Sequence, residues 1–196
     1  MKIVNIGSSN IDYVYQMEHF IQPGETLGCA QLSIGCGGKG LNQSIALARA
    51  GAEVYHAGLI GREGAFLREK MEQAGVNVEF VRYGEGANGH AIIQVDKTGQ
   101  NCIILYGGTN HQFTHALVDE VLSHFAAGDI VVLQNEINEI RSPMRGCRPA
   151  APSLYWSEFK KIFRQAKNLL FFTSFAAQFL QNCPCAFHLL KVANMV

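Results

Sequence analysis

Charge is scarce in this 196-residue sequence, and neither sign is in excess. Charged residues make up 16% of the chain, and 16 basic side chains balance 16 acidic ones. About a quarter is usual in soluble domains, and a chain without net charge has nothing that attracts nucleic acid or an acidic membrane surface. We therefore expect neither nucleic acid nor a membrane as a partner.

Long apolar runs are also missing. The stretch from Leu169 to Leu180 comes nearest, but Thr173, Ser174 and Gln178 interrupt it, whereas a membrane-spanning helix needs roughly 20 apolar residues. The first residues follow a buried-strand pattern and lack the apolar core and cleavage site of a signal peptide. The sequence thus predicts a cytoplasmic protein.

No metal-binding spacing is evident. Cys183 and Cys185 are separated by a single proline, which is not the spacing of a zinc ribbon. His111 and His115 are separated by four positions, but Thr114 between them reads as a helix cap, so one continuous helix is not expected. We expect free thiols in a reducing compartment and no bound metal.

The composition changes near residue 141. Residues 1–140 contain 15 acidic and 8 basic side chains, whereas residues 141–196 contain one acid, Glu158, and 8 bases. We interpret residues 1–140 as one unit and residues 141–196 as a divergent tail. A change of reading frame, a retained intron or an alternative 3′ exon near codon 141 is the simplest explanation, and a true variant of the fold is the alternative.

Within residues 1–140, apolar strands alternate with amphipathic helices. The predicted strands are Lys2–Ile6, Glu53–Ile60, Val78–Val81 and Ile130–Leu133, and the predicted helices are Leu41–Ala50, Gly64–Ala74 and Thr114–Ala127. This alternation predicts an α/β fold with a doubly wound parallel sheet.

Two further segments look extended rather than helical. Tyr13–Gln31 is rich in aromatic and β-branched residues, and His90–Tyr106 contains a hairpin that turns at Lys97-Thr98-Gly99-Gln100. We expect them to form a small sheet beside the carboxyl ends of the parallel strands, where it would act as a lid.

Asn10 and Asp12 follow the first strand and point to the same side of an extended chain. An amide and a carboxylate placed in this way can bind adjacent hydroxyls of a polyol, although a simple turn explains them as well. Glu136 follows the most apolar strand, where it would bind a ligand or cap the next helix.

A glycine-rich loop is predicted before the first helix. Gly37 and Gly38 would let the backbone approach a ligand closely, and the helix would present its amide groups to that ligand. Lys39 and Asn42 share one helical face and can reach the same ligand. The spacing of a Walker loop is absent.

Taken in order, these segments resemble the ribokinase/PfkB family of sugar kinases, with the strongest likeness to its ribokinase branch. The motifs that carry the resemblance are Asn5-Ile6-Gly7-Ser8-Ser9-Asn10-Ile11-Asp12, Pro23-Gly24-Glu25-Thr26, Gly37-Gly38-Lys39-Gly40-Leu41-Asn42-Gln43-Ser44, Gly58-Leu59-Ile60-Gly61 with Gly64, Gly107-Gly108-Thr109-Asn110 and Leu133-Gln134-Asn135-Glu136.

The resemblance implies a ribokinase-like core with a β-lid that pairs with a second subunit to form a homodimer. It implies transfer of the γ-phosphoryl group of Mg-ATP to the 5-hydroxyl of the pentose D-ribose, with a monovalent cation as a further cofactor. Carried over by motif, the sugar ligands would be Asn10, Asp12, Gly37, Gly38, Lys39, Asn42 and Glu136, and Ala91 and Ile93 would belong to the lid.

The second signature of the family, Asp-Thr-x-Gly-Ala-Gly-Asp, is not found in this chain. Its final Asp is the base that accepts the hydroxyl proton, so no catalytic residue is assigned and we expect the chain to be inactive alone. A non-catalytic fragment that binds sugar or dimerises through the lid is one alternative, and a product that does not fold is another. A nicotinamide-dependent oxidoreductase is disfavoured because no dinucleotide fingerprint follows a strand.

Overall fold

The computed structural model describes residues 1–138 and the backbone of residues 153–156. In chain order its elements are β1 (Lys2–Ile6), β2 (Asn10–Gln16), β3 (Gln31–Gly37), α1 (Lys39–Arg49), β4 (Glu53–Ile60), α2 (Ala65–Gln73), β5 (Asn77–Tyr83), β6 (His90–Val95), β7 (Asn101–Tyr106), α3 (His115–Leu122), β8 (Ile130–Leu133) and β9 (Ser153–Trp156). Short 3₁₀ turns at Arg62–Gly64 and Gly108–His111 precede α2 and α3.

The central sheet is parallel throughout, with strand order β5-β4-β1-β8-β9. Side chains of β1 alternate between its two faces. Val4 and Ile6 pack in a cluster with Val118 of α3, and Ile3 packs in a second cluster with Leu41 of α1. Because each face is covered by helices, the strands are nearly continuous apolar runs. The prediction of a doubly wound α/β fold is confirmed.

A second, four-stranded sheet has the order β3-β2-β6-β7. The pairs β2–β3 and β6–β7 are antiparallel, and β2–β6 is parallel. All six residues of β7 are exposed. We call this sheet the lid. Its strands β2 and β3 connect directly to β1 and α1, so the lid projects from the end of the central sheet where the parallel strands finish.

Several predicted boundaries need correction. Residues 13–31 are not one extended segment, because β2 ends at Gln16 and β3 begins at Gln31. Gly35 and Gly37 belong to β3 rather than to a loop, because they pair with Asp12 and Asn10 of β2. Helix α1 therefore begins at Lys39, directly after Gly38.

Helix α3 is shorter than predicted. Thr114 is its N-cap as expected, and the Thr114 side chain accepts a hydrogen bond from the backbone N–H of Leu117. The helix ends at Leu122 because the next amides, those of His124 and Phe125, bond three residues back instead of four. The predicted extension to residue 127 is wrong for this reason.

Strand β9 falls within the segment that the composition separates from the rest, and it pairs in parallel with β8. The division of the chain at residue 140 stays a prediction. Cys29, Cys36 and Cys102 are free thiols, and the other three cysteines lie outside the described residues. None of the described helices is both long and apolar enough to cross a bilayer.

Candidate functional site

The site forms where the segments after β1 and β8 meet the first turn of α1. The Ser8 hydroxyl donates a hydrogen bond of 2.7 Å to Oε2 of Glu136, and the backbone N–H of Lys39 donates one of 2.8 Å to the same oxygen. Three segments distant in sequence are therefore joined at one carboxylate. Their meeting point is the carboxyl edge of the parallel sheet, where open α/β sheets bind ligands.

Glu136 also forms an ion pair with Lys39, whose Nζ lies 3.2 Å from Oε1. Gly38 precedes the helix without a side-chain cap. The Glu136 carboxylate takes over that role from a distant part of the chain, because a helix N-terminus stabilises negative charge and needs acceptors for its free amides. The sequence left open whether Glu136 binds a ligand or caps the next helix. In the structure it caps a helix, but that helix is α1 rather than one that follows Glu136 in the chain.

Asp12 lies on β2, half-buried and without an ion pair among the described residues. Burial, with the negative charge of Glu136 as a second cause, raises the pKa of Asp12 to about 6. The neighbouring strand leaves room for this carboxylate only because residue 37 is glycine, since a Cβ atom there would overlap the Asp12 side chain. A carboxyl group with this pKa changes its charge close to neutral pH.

Asn10 begins β2 and is buried. Its Oδ1 accepts a hydrogen bond of 2.6 Å from Nδ2 of Asn110, and Oδ1 of Asn110 accepts one of 2.9 Å from the backbone N–H of Ser9. Asn110 lies just after the last lid strand. The two amide side chains therefore tie the start of the lid to its end.

The remaining predicted residues surround this centre. Gly38 has a φ of 91° and links β3 to α1. Ala91 is buried and pairs in register with Asp12, and Ile93 pairs two positions further along the same strands. Asn42 is exposed in the first turn of α1. The structure brings Asp12, Gly37, Lys39 and Glu136 together, whereas no described contact joins Asn42 to them. The roles of all these residues in binding stay predictions.

Sequence reasoning assigned no role to Ser8, Asn110 or Gln134. Gln134 is buried, and its Oε1 accepts a hydrogen bond of 3.2 Å from the backbone N–H of Glu136. Ser8 follows β1 and Gln134 follows β8, and this position after an apolar strand is the feature of the sequence that could have identified them. Asn110 lies within a motif of the family resemblance, but its partner Asn10 is 100 residues away.

A buried histidine lies next to the residues of the site. His56 is fully buried on β4, with Nδ1 2.8 Å from the Ser44 hydroxyl and Nε2 3.0 Å from the Ser9 hydroxyl. Burial lowers the pKa of His56 to about 4. A neutral imidazole therefore connects α1 with the segment that carries Asn10.

The N-terminus of α1 is not free to bind the phosphates of a nucleoside triphosphate. Such phosphates would seek the free amides of a helix N-terminus, but the N-terminal amide of α1 at this site is taken by the carboxylate of Glu136. Within residues 1–138, no group of three or more His, Cys, Asp or Glu side chains surrounds a common metal position. This helix N-terminus already holds a carboxylate, so at this point the site suits a neutral ligand better than a phosphate.

Comparison with known proteins agrees with this geometry. A model of the pfkB family carbohydrate kinases matches residues 1–195. The chain is 38% identical over 141 residues to the ribokinase of Staphylococcus aureus, covering 69% of this chain and 46% of that protein. It is 33% identical over 149 residues to the ribokinase of Haemophilus influenzae, covering 74% and 47%. The chain thus spans about half the length of these curated relatives.

Solved structures show the same likeness. The ribokinase of Thermotoga maritima is 37% identical with a TM-score of 0.63, and the match covers 69% of this chain and 45% of that one. The ribokinase of Arabidopsis thaliana, solved in complex with ribose and ATP, is 31% identical with a TM-score of 0.59, and the match covers 69% and 45%.

Proposed function

Because this chain belongs to the pfkB family of carbohydrate kinases, we propose that it forms the sugar-binding half of a ribokinase-type enzyme. D-Ribose would bind between the lid and the ends of β1 and β8. Its hydroxyls would contact Asn10, Asp12, Lys39, Asn42 and Glu136, and the backbone at Gly37 and Gly38 would allow a close approach. Ala91 and Ile93 of the lid would cover the sugar.

The observation that carries this proposal is the convergence of Asp12, Lys39 and Glu136 at one edge of the sheet. A polyol offers hydroxyls that both donate and accept, so it can satisfy carboxylates and an ammonium group at the same time. Complexes with ribose and ATP are known for the Arabidopsis relative, which supports a pentose as the ligand.

We propose that the chain binds the sugar without phosphorylating it. Phosphoryl transfer in the full-length relatives would use Mg-ATP and a monovalent cation, and the helix N-terminus at this site holds the carboxylate of Glu136 in place of a phosphate. Within the 196-residue sequence the Gly-Ala-Gly-Asp segment expected to supply the catalytic base is absent. Recognition of the sugar and transfer of the phosphoryl group would therefore belong to different halves of the enzyme.

The test is isothermal titration of the 196-residue chain with ribose, alongside a kinase assay with ribose and Mg-ATP. We expect saturable binding, loss of at least about tenfold in affinity for Asp12→Asn, and no turnover of ATP. A wild-type chain that is folded by circular dichroism but does not bind ribose or any other pentose would contradict the proposal. Phosphorylated ribose above the background of a mock preparation would contradict the non-catalytic part.

Pairing through the lid is a second function, favoured by one row of side chains. Ile34, Tyr13, Ile92 and Ile104 are register partners across all four lid strands, and the two at its ends, Ile34 and Ile104, are 58% and 59% exposed. Successive residues of a strand point to opposite faces, so this row lies on the face opposite Asp12. An apolar row of this kind on a sheet with free edges suits a second copy of the lid.

Light scattering tests this second function. We expect the wild-type chain to be dimeric and Ile104→Lys to be monomeric, with ribose affinity retained. Ile21→Lys is the matched control, because Ile21 is also exposed but lies outside the lid strands. A monomeric wild-type chain would rule out pairing through this row.

A further inference from the structure

A pair of buried asparagines connects the lid to the central domain. Asn110 is 1% exposed and Asn10 is 7% exposed. Asn10 begins the first lid strand, and Asn110 follows the last one. The hydrogen bond of 2.6 Å between them joins residues 100 positions apart, so it forms only when both ends of the lid are in place.

The orientation of the Asn110 carboxamide is fixed by the backbone. A backbone N–H can only donate, and the N–H of Ser9 donates to Asn110 at 2.9 Å. The atom of Asn110 that faces Ser9 must therefore be Oδ1, which leaves Nδ2 as the atom that faces Asn10. This removes the usual ambiguity between the oxygen and nitrogen of an amide side chain.

The orientation of the Asn10 carboxamide is fixed in the same way. Nδ2 of Asn110 can only donate, so the atom of Asn10 that faces it must be Oδ1. The Asn10 Nδ2 group is then the part left for a ligand, and it makes no hydrogen bond with the residues that the structure describes. We infer that Asn110 is a positioning residue that holds the Asn10 carboxamide with its nitrogen toward the sugar.

The surrounding backbone leaves room for this pair and for no larger group. A Cβ atom on Gly89 would overlap Nδ2 of Asn110 and would lie 2.8 Å from Oδ1 of Asn10. Asn88, also buried, donates from its Nδ2 to the carbonyl oxygens of Ser9 and Gly89 at 2.9 and 2.6 Å. Asn88 thus fixes the backbone of Ser9, which donates to Asn110, and of Gly89, which lies against the Asn110 nitrogen.

The site therefore presents a hydrogen-bond donor and an acceptor in a defined order along β2. This consequence rests on the proposed sugar-binding function. Asn10 offers a donor, and two residues further along the same face Asp12 offers an acceptor when ionised. A ligand must then present an accepting hydroxyl oxygen to Asn10 and a donating hydroxyl to Asp12. Reversing the Asn10 amide would place an oxygen where the site now has a donor, so the ligand would meet two acceptors.

Asn110→Asp tests the inference with minimal change of shape. An ionised carboxylate at residue 110 can no longer donate to Asn10, and the Asn10 amide is expected to turn its nitrogen toward the new charge. We expect ribose affinity to fall by at least about tenfold. Asn101→Asp is the matched control, because it introduces the same charge at an exposed position at the start of β7; it should leave affinity unchanged.

Ribose analogues that each lack one hydroxyl distinguish positioning from a general structural role. The loss caused by Asn110→Asp should disappear for the one analogue that lacks the hydroxyl facing Asn10, because the contact is already gone. An equal loss for every sugar, or no loss for ribose, would overturn the inference.

A measurement on the ligand-free wild-type chain tests the orientation of the Asn10 amide even if no sugar binds. Failure to bind sugar would contradict the proposed function and not this inference. Side-chain amide protons can be followed by nuclear magnetic resonance. The Asn110 side-chain NH₂ group should exchange slowly with solvent and the Asn10 group quickly. The reverse order would show the opposite orientation and would overturn the inference.

Discussion

Asp12 and Glu136 are two carboxylates whose charges interact, and of the two only Glu136 has a described ion pair with a cation, Lys39. Glu136 also receives two hydrogen bonds, whereas Asp12 is half-buried beside it and its pKa is raised to about 6. Glu136 is thus held by a cation and two hydrogen-bond donors, whereas Asp12 has no described ion pair and titrates near neutrality. This difference leads to the first predictions.

Ribose binding should depend on pH with a midpoint near the pKa of Asp12. Burial first, and the charge of Glu136 second, raise that pKa to about 6. The ionised form is the one that accepts hydrogen bonds from hydroxyls, so affinity should be full above pH 7 and should fall as the pH drops through 6. Isothermal titration between pH 5 and 8 measures this, and an affinity that does not change over the range would contradict it.

Glu136→Gln should move that midpoint to lower pH. The substitution removes the negative charge that contributes to the raised pKa of Asp12, so Asp12 ionises more readily. The variant is also expected to bind ribose more weakly at pH 7, since Lys39 loses its partner. Glu79→Gln, an exposed position on β5, is the control. An unchanged midpoint in Glu136→Gln would show that the two carboxylates do not interact.

Asp12→Asn should stabilise the chain while it abolishes binding. A carboxyl whose pKa is raised in the folded state binds more protons there than in the unfolded state, so its contribution to stability decreases as pH rises through the interval between 3.8 and about 6. After allowance for partial exposure, we expect a gain of about 1 kcal/mol at pH 7.

Urea denaturation of Asp12→Asn and wild type at pH 7 and pH 4 provides the check. The gain should shrink toward pH 4, where the wild-type carboxyl is largely protonated in the folded state. Asp119→Asn, on the exposed side of α3, should show no comparable gain. A loss of stability in Asp12→Asn at pH 7 would contradict the assignment of Asp12 as a group that opposes folding.

Gly37→Ala should remove ribose binding, whereas Gly35→Ala should retain it. A Cβ atom at residue 37 would overlap the Asp12 carboxylate, but one at residue 35 has nothing within 4 Å. Both residues lie on β3, two positions apart and on the same face. Titration with ribose should show a loss of at least about tenfold for the first variant only. Equal behaviour of the two variants would exclude close packing of Asp12 as the cause.

The contribution of His56 to stability should decrease as the pH falls from 6.5 toward 4, opposite in sign to the contribution of Asp12 over the same interval. Burial lowers the pKa of His56 to about 4, so over this interval the unfolded state takes up a proton that the folded state does not. The free energy of unfolding should decrease by up to about 3 kcal/mol from this group alone. Comparison with His56→Gln isolates the effect: the stability difference between the two chains should change with pH, and a constant difference would contradict it.

The core was readable from the sequence where burial dominates. β1, β4 and β8 have the predicted bounds because each is an apolar run covered on both faces. β3 is missed altogether, since the predicted extended segment ends at Gln31, where this strand begins, and its glycines suggest a loop. Only pairing with β2 shows these glycines to belong to a strand. The start of α1 was misplaced for a similar reason, since the group that caps it is Glu136, 97 residues away.

For the site, the sequence predicts which residues take part but not how they contact one another. Asn10, Asp12, Lys39 and Glu136 follow strands or begin a helix, which is a local property. The partners that orient them, such as Asn110 and Ser8, have no such signal, because hydrogen bonds between distant segments depend on how the sheet places its strand ends. The same limit explains why the raised pKa of Asp12 does not follow from the sequence.

The hydrogen bonds of the candidate site join residues far apart in the chain: 128 positions separate Ser8 from Glu136, and 100 separate Asn10 from Asn110. Contacts of this kind close large loops, so they form late in folding and make it slow. During synthesis the hydrogen bonds to Glu136 cannot form until residue 136 has left the ribosome. The proposed sugar site would therefore be completed late in folding, and a ligand that binds it at that stage would favour completion of the fold by mass action.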